Sequence, residues 1–527
     1  MSEQRVTREL RRATFLQVIG TTLSRVTGFG RVFALAYAIG FTRLADAYNL
    51  ANVTPNIVYE LVLGGVLSAT LVPVFVERLE HDDDPWHAVS AVVSFALAIA
   101  VGLAALVAAA APVIIRLYTA FNTSGSAAAE NAVATTLLRW FAPQVAFYAA
   151  ITVTTALLLA RRRFANPKFS PIANNLVVIG ILFAFPHVVH DLSLSGVRHN
   201  AGALALLGLG TTAGVAMQAF IQAPGFRYVR WVWEPRHPAV RTVARLSFWT
   251  FGVVLANQAA FYVAVALANR RPGELSIYLA AYMFFLLPHG VIAVSVMDSL
   301  LPELSARWSS GDADAFRRRF ARGVATISAV IVPAAAGYIV LARPIIGLTL
   351  EYGRLHPGSA TRTAGALAMF AIGLPGFSAY LLVMRGFQAI QDTRSMFLLY
   401  AIENGINIVL AIAFFPRLGA EGLALAFGLA YTASAALAWR RLGRLTGGLP
   451  TREVLGQLQR IAAAALVMTA VVLAVSLGIG GTRNLHLLVR VVASVSAGVT
   501  VYVLVARALH VEELTALFAA RRQPTQR

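Results

Sequence analysis

Cysteine is absent from this chain of 527 residues, which excludes disulfides, thiolate metal sites and cysteine nucleophiles. Charge is scarce too: Asp, Glu, Lys and Arg fill 13% of positions, roughly half their share in soluble domains. Gly-rich Walker loops, zinc-ligand spacings and nucleophile elbows are missing, so the sequence offers no route to direct ATP hydrolysis or enzymatic chemistry. The segments between apolar runs are too short to house an extramembrane catalytic domain. No secretory leader is expected, because "MSEQRVTRELRRATF" is a basic flank and the apolar run behind it holds arginines and no small-residue cleavage site. No cofactor or metal is expected. The acidic stretch "HDDDPW", residues 81–86, reads as a solvated loop.

Apolar residues, by contrast, make up 58% of the chain, and mean hydropathy is +0.69. Runs of about 20 apolar residues, the length that spans a bilayer as helix, recur from end to end. The pattern predicts an all-α polytopic membrane protein with about 14 transmembrane helices. They are expected over 14–40, 50–77, 88–115, 132–160, 169–187, 201–223, 243–268, 275–301, 320–342, 363–390, 395–416, 419–439, 461–480 and 484–506. The net charge of +20 reflects topology, not nucleic-acid binding. Basic residues crowd into alternate segments, among them Arg5–Arg12, "RRRFANPK", Arg227–Arg245, Arg307–Arg322 and Arg440–Arg460. The positive-inside rule then puts both termini in the cytoplasm.

An internal repeat runs through the spans. Pro143 and Tyr148 are followed by Asn174 and Asn175, as Pro375 and Tyr380 are followed by Asn404 and Asn407. Tyr148 to Tyr380 and Asn175 to Asn407 are both separations of 232 residues. "LVPVFVERLE" and "LLPELSARWS" align Pro73 with Pro302, 229 apart, and Asp46-Ala-Tyr48 aligns with Ser276-Ile-Tyr278, 230 apart. That offset covers six spans, an even number, so the halves share one orientation. Two parallel six-helix lobes around a central cavity are a transporter plan, with the site near the midplane. The expected domains are 1–225, 226–441 and, for the last two helices and tail, 442–527.

Ionisable residues inside spans usually mark a pathway. Here they are Arg25, Arg31 and Glu60, with Asp46 at a span mouth, then Asp298, Glu303, Arg385 and Glu403. Arg25 and Arg31 stand about 9 Å apart along a helix and about 120° apart around it, so they can border one cavity at two depths. Guanidinium forks suit phosphate oxygens, which suggests an anionic, phosphorylated cargo. Pairing of Arg25 with Asp46 or Glu60 for packing alone is the competing reading. Glu403, Asn404 and Asn407 carry hard oxygen ligands that could hold a coupling cation, or hydrogen bonds between helices.

The motifs "SRVTGFGR", "ADAYNLANVTPNIVYELVLGGVLSATLVPVF", "LPHGVIAVSVMDSLLPELS" and "RGFQAIQDTR" resemble the MviN/MurJ family of lipid II flippases, over essentially the whole chain. The resemblance implies a lipid flippase of the bacterial inner membrane, not an enzyme. Its implied cargo is the undecaprenyl-diphosphate-linked peptidoglycan precursor, moved to the outer leaflet by alternating access. It also implies a groove for the polyprenyl tail beside the last two helices. Membrane lipids, a coupling cation and cell-wall synthesis proteins are the further partners it brings into view. Arg25 and Arg31 match the family's first-helix arginines, and Asp46 its second-helix aspartate. Tyr59-Glu60 stands where many members place an arginine pair, Met283 where many have an arginine, and Ala264 where a cation-binding acid is found. These departures keep alternatives open: a flippase for another polyprenyl-linked glycan, a drug/cation antiporter of the same fold, or a non-transporting scaffold in cell-wall assembly.

Overall fold

The computed structural model describes residues 3–60, 65–81, 84–122, 124–161, 163, 165–481 and 484–511. Among them there are helices and no strands. The first is α1 (Glu3–Ile39), followed by α2 (Arg43–Tyr59), α3 (Gly65–His81), α4 (Pro85–Tyr118), α5 (Ala127–Phe141) and α6 (Gln144–Ala160). Next come α7 (Ala165–Val188), α8 (Leu194–Arg198), α9 (Ala201–Gln222), α10 (Pro238–Ala268), α11 (Glu274–Pro288) and α12 (Val294–Ser309). The remainder are α13 (Ala313–Leu350), α14 (Pro357–Ala389), α15 (Thr393–Leu418), α16 (Ala420–Leu445), α17 (Thr451–Ile479) and α18 (Asn484–Ala508).

Local chemistry sets many of the starts. Thr42, Asp84, Asn200, Asp312 and Asp392 each accept a backbone N–H three residues on, the N-cap arrangement that satisfies an otherwise orphaned donor. Proline at the first position of α4, α10 and α14 supplies the helical φ where no intrahelical N–H bond is lost.

Eleven segments are long and apolar enough to cross a membrane among the described residues, and each coincides with one of the expected spans. The other three expected spans are helical as well. They fall on α1, on α2 with α3 (residues 61–64 lie outside the described residues), and on α10. Two spans are compound: α5 and α6 break at Pro143, and α11 and α12 join through a π-helical turn, His289–Ala293.

The helices group into two compact units, Met1–Ser276 with Tyr352–Leu355, and Ile277–Glu351 with His356–Arg527. The repeat divides the sequence at 225–226, whereas packing keeps α10 with the first unit, against α3 and α4.

In the first unit, α1 lies along α7. Gly30 permits the approach, since a Cβ there would stand 3.2 Å from Ile179. Asn175 on α7 donates to Thr27 Oγ1 (3.0 Å) and to the Ser24 carbonyl (3.2 Å), so the repeated asparagine of this half is a helix–helix tie. Leu71, Phe75, Val92, Val153 and Leu157 form a core between α3, α4 and α6. In the second unit, α14 packs on α16 through Gly373 and Gly428, where a Cβ on Gly373 would lie 2.0 Å from the Gly428 Cα. A separate core of Ala329, Ile461, Met468 and Tyr502 binds α13 to α17 and α18.

Candidate functional site: buried charges in the two units

Arg31 is partly buried on α1. Its Nη2 reaches Tyr48 Oη on α2 at 3.4 Å, and Tyr48 shares a 2.9 Å hydrogen bond with Thr211 on α9. Since the guanidinium can only donate, Tyr48 accepts from it and passes its own proton towards Thr211. Tyr48 is held edge-on against Phe141 at 5.7 Å. Tyr148 on α6 lies within electrostatic range of Arg31. The Tyr148 ring in turn sits 5.3 Å from Tyr59, whose hydroxyl bonds Thr152 at 2.9 Å. Among the described residues, tyrosine hydroxyls and no carboxylate stand against the Arg31 charge. Arg25, one and two-thirds turns earlier and also partly buried, makes no hydrogen bond or ion pair among the described residues.

The other first-unit charges are used differently. Asp46 is fully buried, and three donors occupy its carboxylate: Gly273 N at 2.5 Å on Oδ2, with Ser276 N at 3.1 Å and Ser276 Oγ at 2.8 Å on Oδ1. It caps the first turn of α11 from a distant part of the chain, and the positions aligned at offset 230 bond one another. Asn49 adds a 3.0 Å bond to Ser276 Oγ. Neither Arg25 nor Arg31 pairs with Asp46. Glu60 ends α2 exposed, without an ion pair to a described residue.

Arg43 supplies the contrast. Its Nη1 lies 3.1 Å from Glu130, which is wholly buried, and the same guanidinium donates to the carbonyls of Asn269 (2.7 Å) and Arg270 (3.2 Å). Asn122 donates to the same carboxylate oxygen at 2.9 Å, and the other oxygen, Oε1, has no hydrogen-bond partner among the described residues. This clasp escaped the sequence reading, where Arg43 counts as a loop charge. The one signal was Thr42, a capping residue that makes Arg43 the first residue of a helix.

In the second unit Asp298 pairs with Arg385 at 3.2 Å and Glu303 with Arg319 at 2.6 Å. Glu403 is different. It is fully buried on α15, and neither carboxylate oxygen has a hydrogen-bond partner among the described residues. Tyr278, Tyr282, Tyr380, Tyr400 and Tyr431 all lie within range of its charge. The repeat-matched tyrosines thus each stand beside a buried charge, Tyr148 by Arg31 and Tyr380 by Glu403. The same unit holds an apolar groove of about 460 Å³ lined by Pro333, Tyr338, Leu341, Met468, Val472 and Val499 of α13, α17 and α18.

An all-helical chain with multiple spans and uncompensated charge inside them is a multi-pass membrane transporter. More narrowly, the chain belongs to the lipid II flippase MurJ family, whose model matches residues 35–491. It is 28% identical over 467 residues to a protein of Rhizobium meliloti (strain 1021) named probable lipid II flippase MurJ, covering 86% of this chain and 85% of that one. The solved structure "Lipid II flippase MurJ, inward closed conformation" shares the fold with a TM-score of 0.79 at 22% identity, covering 95% of this chain and all of that one. An inward-facing multidrug resistance MATE transporter of the MOP superfamily matches with a TM-score of 0.67 at 12% identity, covering 80% and 94%. The family is named for a transport activity and not for a chemical transformation.

Proposed function

We propose that the protein flips lipid II from the inner to the outer leaflet of the bacterial cell membrane by alternating access, with both termini cytoplasmic. The observation that carries this reading is the state of the α1 arginines. Arg43 is neutralised by Glu130 at 3.1 Å, whereas Arg31 is held by hydroxyls and Arg25 has no described partner. A guanidinium without a carboxylate is a donor fork waiting for an anion, and a diphosphate offers the matching acceptors. Carrying that headgroup bare through hydrocarbon would cost many kcal/mol in desolvation, which a polar, basic passage removes.

In this scheme Arg25 and Arg31 hold the diphosphate. Asp46 serves the site indirectly by fixing the start of α11, and Glu60 stands at the end of α2 as a screening charge. The apolar groove on α13, α17 and α18 seats the polyprenyl tail. Glu403, buried and unpaired, is the group that a coupling cation or proton neutralises during the cycle. Expression in cells depleted of their own lipid II flippase tests the proposal: the chain should restore growth, and failure despite normal membrane insertion would refute it.

A further inference from the structure

The acidic stretch that reads as a solvated loop ends next to His87, which meets partners far along the chain. His87 Nε2 lies 3.2 Å from Glu234 Oε1, 147 residues away. The His237 ring stands 6.0 Å from that of His87. One donor atom from each of the three falls within 4.8 Å of the others, the one such group of His, Asp and Glu among the described residues.

Two imidazoles and one carboxylate form a zinc donor set that leaves a fourth position for water. With bonds of about 2.0–2.2 Å, tetrahedral geometry asks for donor–donor edges of about 3.3–3.5 Å. The His87–Glu234 edge already has nearly that length, and both side chains are exposed enough, 43% and 48%, to rotate the remaining edges closed.

The backbones beneath are fixed. Asp84 caps α4 by accepting from His87 N at 3.2 Å. Ser90 Oγ accepts from Arg230 N and Ser94 Oγ from Val232 N, both at 3.0 Å, so the strand of chain leading to Glu234 is tied along α4. Trp86 packs on Tyr228 at 5.0 Å, and Arg161 lies over the Tyr228 ring at 4.8 Å. A cavity of about 380 Å³ opens beside His87, lined also by Asp84, Ser90, Arg227 and Arg230. His237 Nδ1 accepts from Ala239 N at 3.2 Å, so a metal bound at Nδ1 would compete with that cap of α10, whereas one bound at Nε2 would not.

We propose that His87, Glu234 and His237 bind a divalent transition metal ion, Zn²⁺ by the chemistry of the donors, and that the ion braces the 227–237 segment against the start of α4. The three ligands come from two places in the chain, so linear spacing hides them. The test uses the full-length protein, purified on a non-histidine tag and stripped of metal. Zn²⁺ is titrated by calorimetry and Co²⁺ by its visible absorption, and exchange of the 227–237 amides is followed with and without Zn²⁺. The expected result is one equivalent bound with a tetrahedral Co²⁺ spectrum and slower 227–237 exchange. His87→Ala, His237→Ala and Glu234→Gln should each weaken binding by at least about tenfold, since even outer-shell partners of a metal are worth that much. Glu234→Gln keeps size and shape, and decides the question should a histidine variant fail to fold. No binding by the parent protein, or one-equivalent binding that survives these substitutions, would overturn the proposal.

Discussion

Asp46→Asn exchanges one carboxylate oxygen for an NH2 in a site with no slack. Oδ2 accepts from Gly273 N at 2.5 Å, and Oδ1 takes both Ser276 donors, at 3.1 and 2.8 Å. An asparagine has a single acceptor oxygen. Turned towards Ser276, it keeps two bonds and points its NH2 at the Gly273 N–H; turned the other way, it loses two. The cheaper choice still forfeits one charge-assisted bond, worth about 1.5–3 kcal/mol, and strands a buried N–H at about 1–3 kcal/mol. Those costs overlap, so the loss is about 2–4 kcal/mol. Gly273 sits tightly against the chain before α2, with φ at +78° and the Phe41 carbonyl oxygen 2.4 Å from where a Cβ would stand. Ser276→Ala removes the 2.8 Å hydroxyl bond to Asp46 and the 3.0 Å bond from Asn49, and should cost about 1–2 kcal/mol. Thermal melting in detergent ranks the variants, and hydrogen exchange at residues 273–277 localises the effect. Unchanged melting and exchange in Asp46→Asn would refute the anchoring role. A variant that folds normally yet fails to transport would instead make Asp46 a direct cargo contact.

Two further outcomes follow from the packing. Glu130→Ala leaves Arg43 buried without its acid and should lower stability by about 3–5 kcal/mol, most of which an added Arg43→Met restores, as detergent melts would show. Gly373→Leu drives a side chain into the Gly428 backbone and should abolish monodisperse protein in size-exclusion chromatography, while Gly102→Ala, with nothing within 4 Å, should behave as the parent.

Periodicity and apolarity made most of this fold legible: eleven spans lie where the apolar runs put them. Apolarity is lower along α1 and α2, where Arg25, Arg31, Arg43 and Asp46 interrupt it. Charge in a span therefore advertised the candidate site and at the same time obscured the helices that carry it. Partner choice was harder to read. The Asp46 and Ser276 alignment hinted that the two positions correspond, but nothing linear says that they bond. Arg43 finds Glu130, and His87 finds Glu234, only through the tertiary fold. Asn175 serves packing, by its bonds to α1, whereas Glu403, singled out as a charge inside a span, has no hydrogen-bond partner among the described residues. Polar residues within spans thus resolve into packing ties and unpaired charges once neighbours are known.

The most direct measurement of the central claim is lipid II translocation in proteoliposomes by Arg25→Ala, Arg31→Ala and the double variant, each matched to the parent in melting temperature. Loss of a charged donor to diphosphate should slow flipping by about tenfold or more per arginine. Translocation at the parental rate in the double variant would contradict the assignment of these guanidiniums to the cargo.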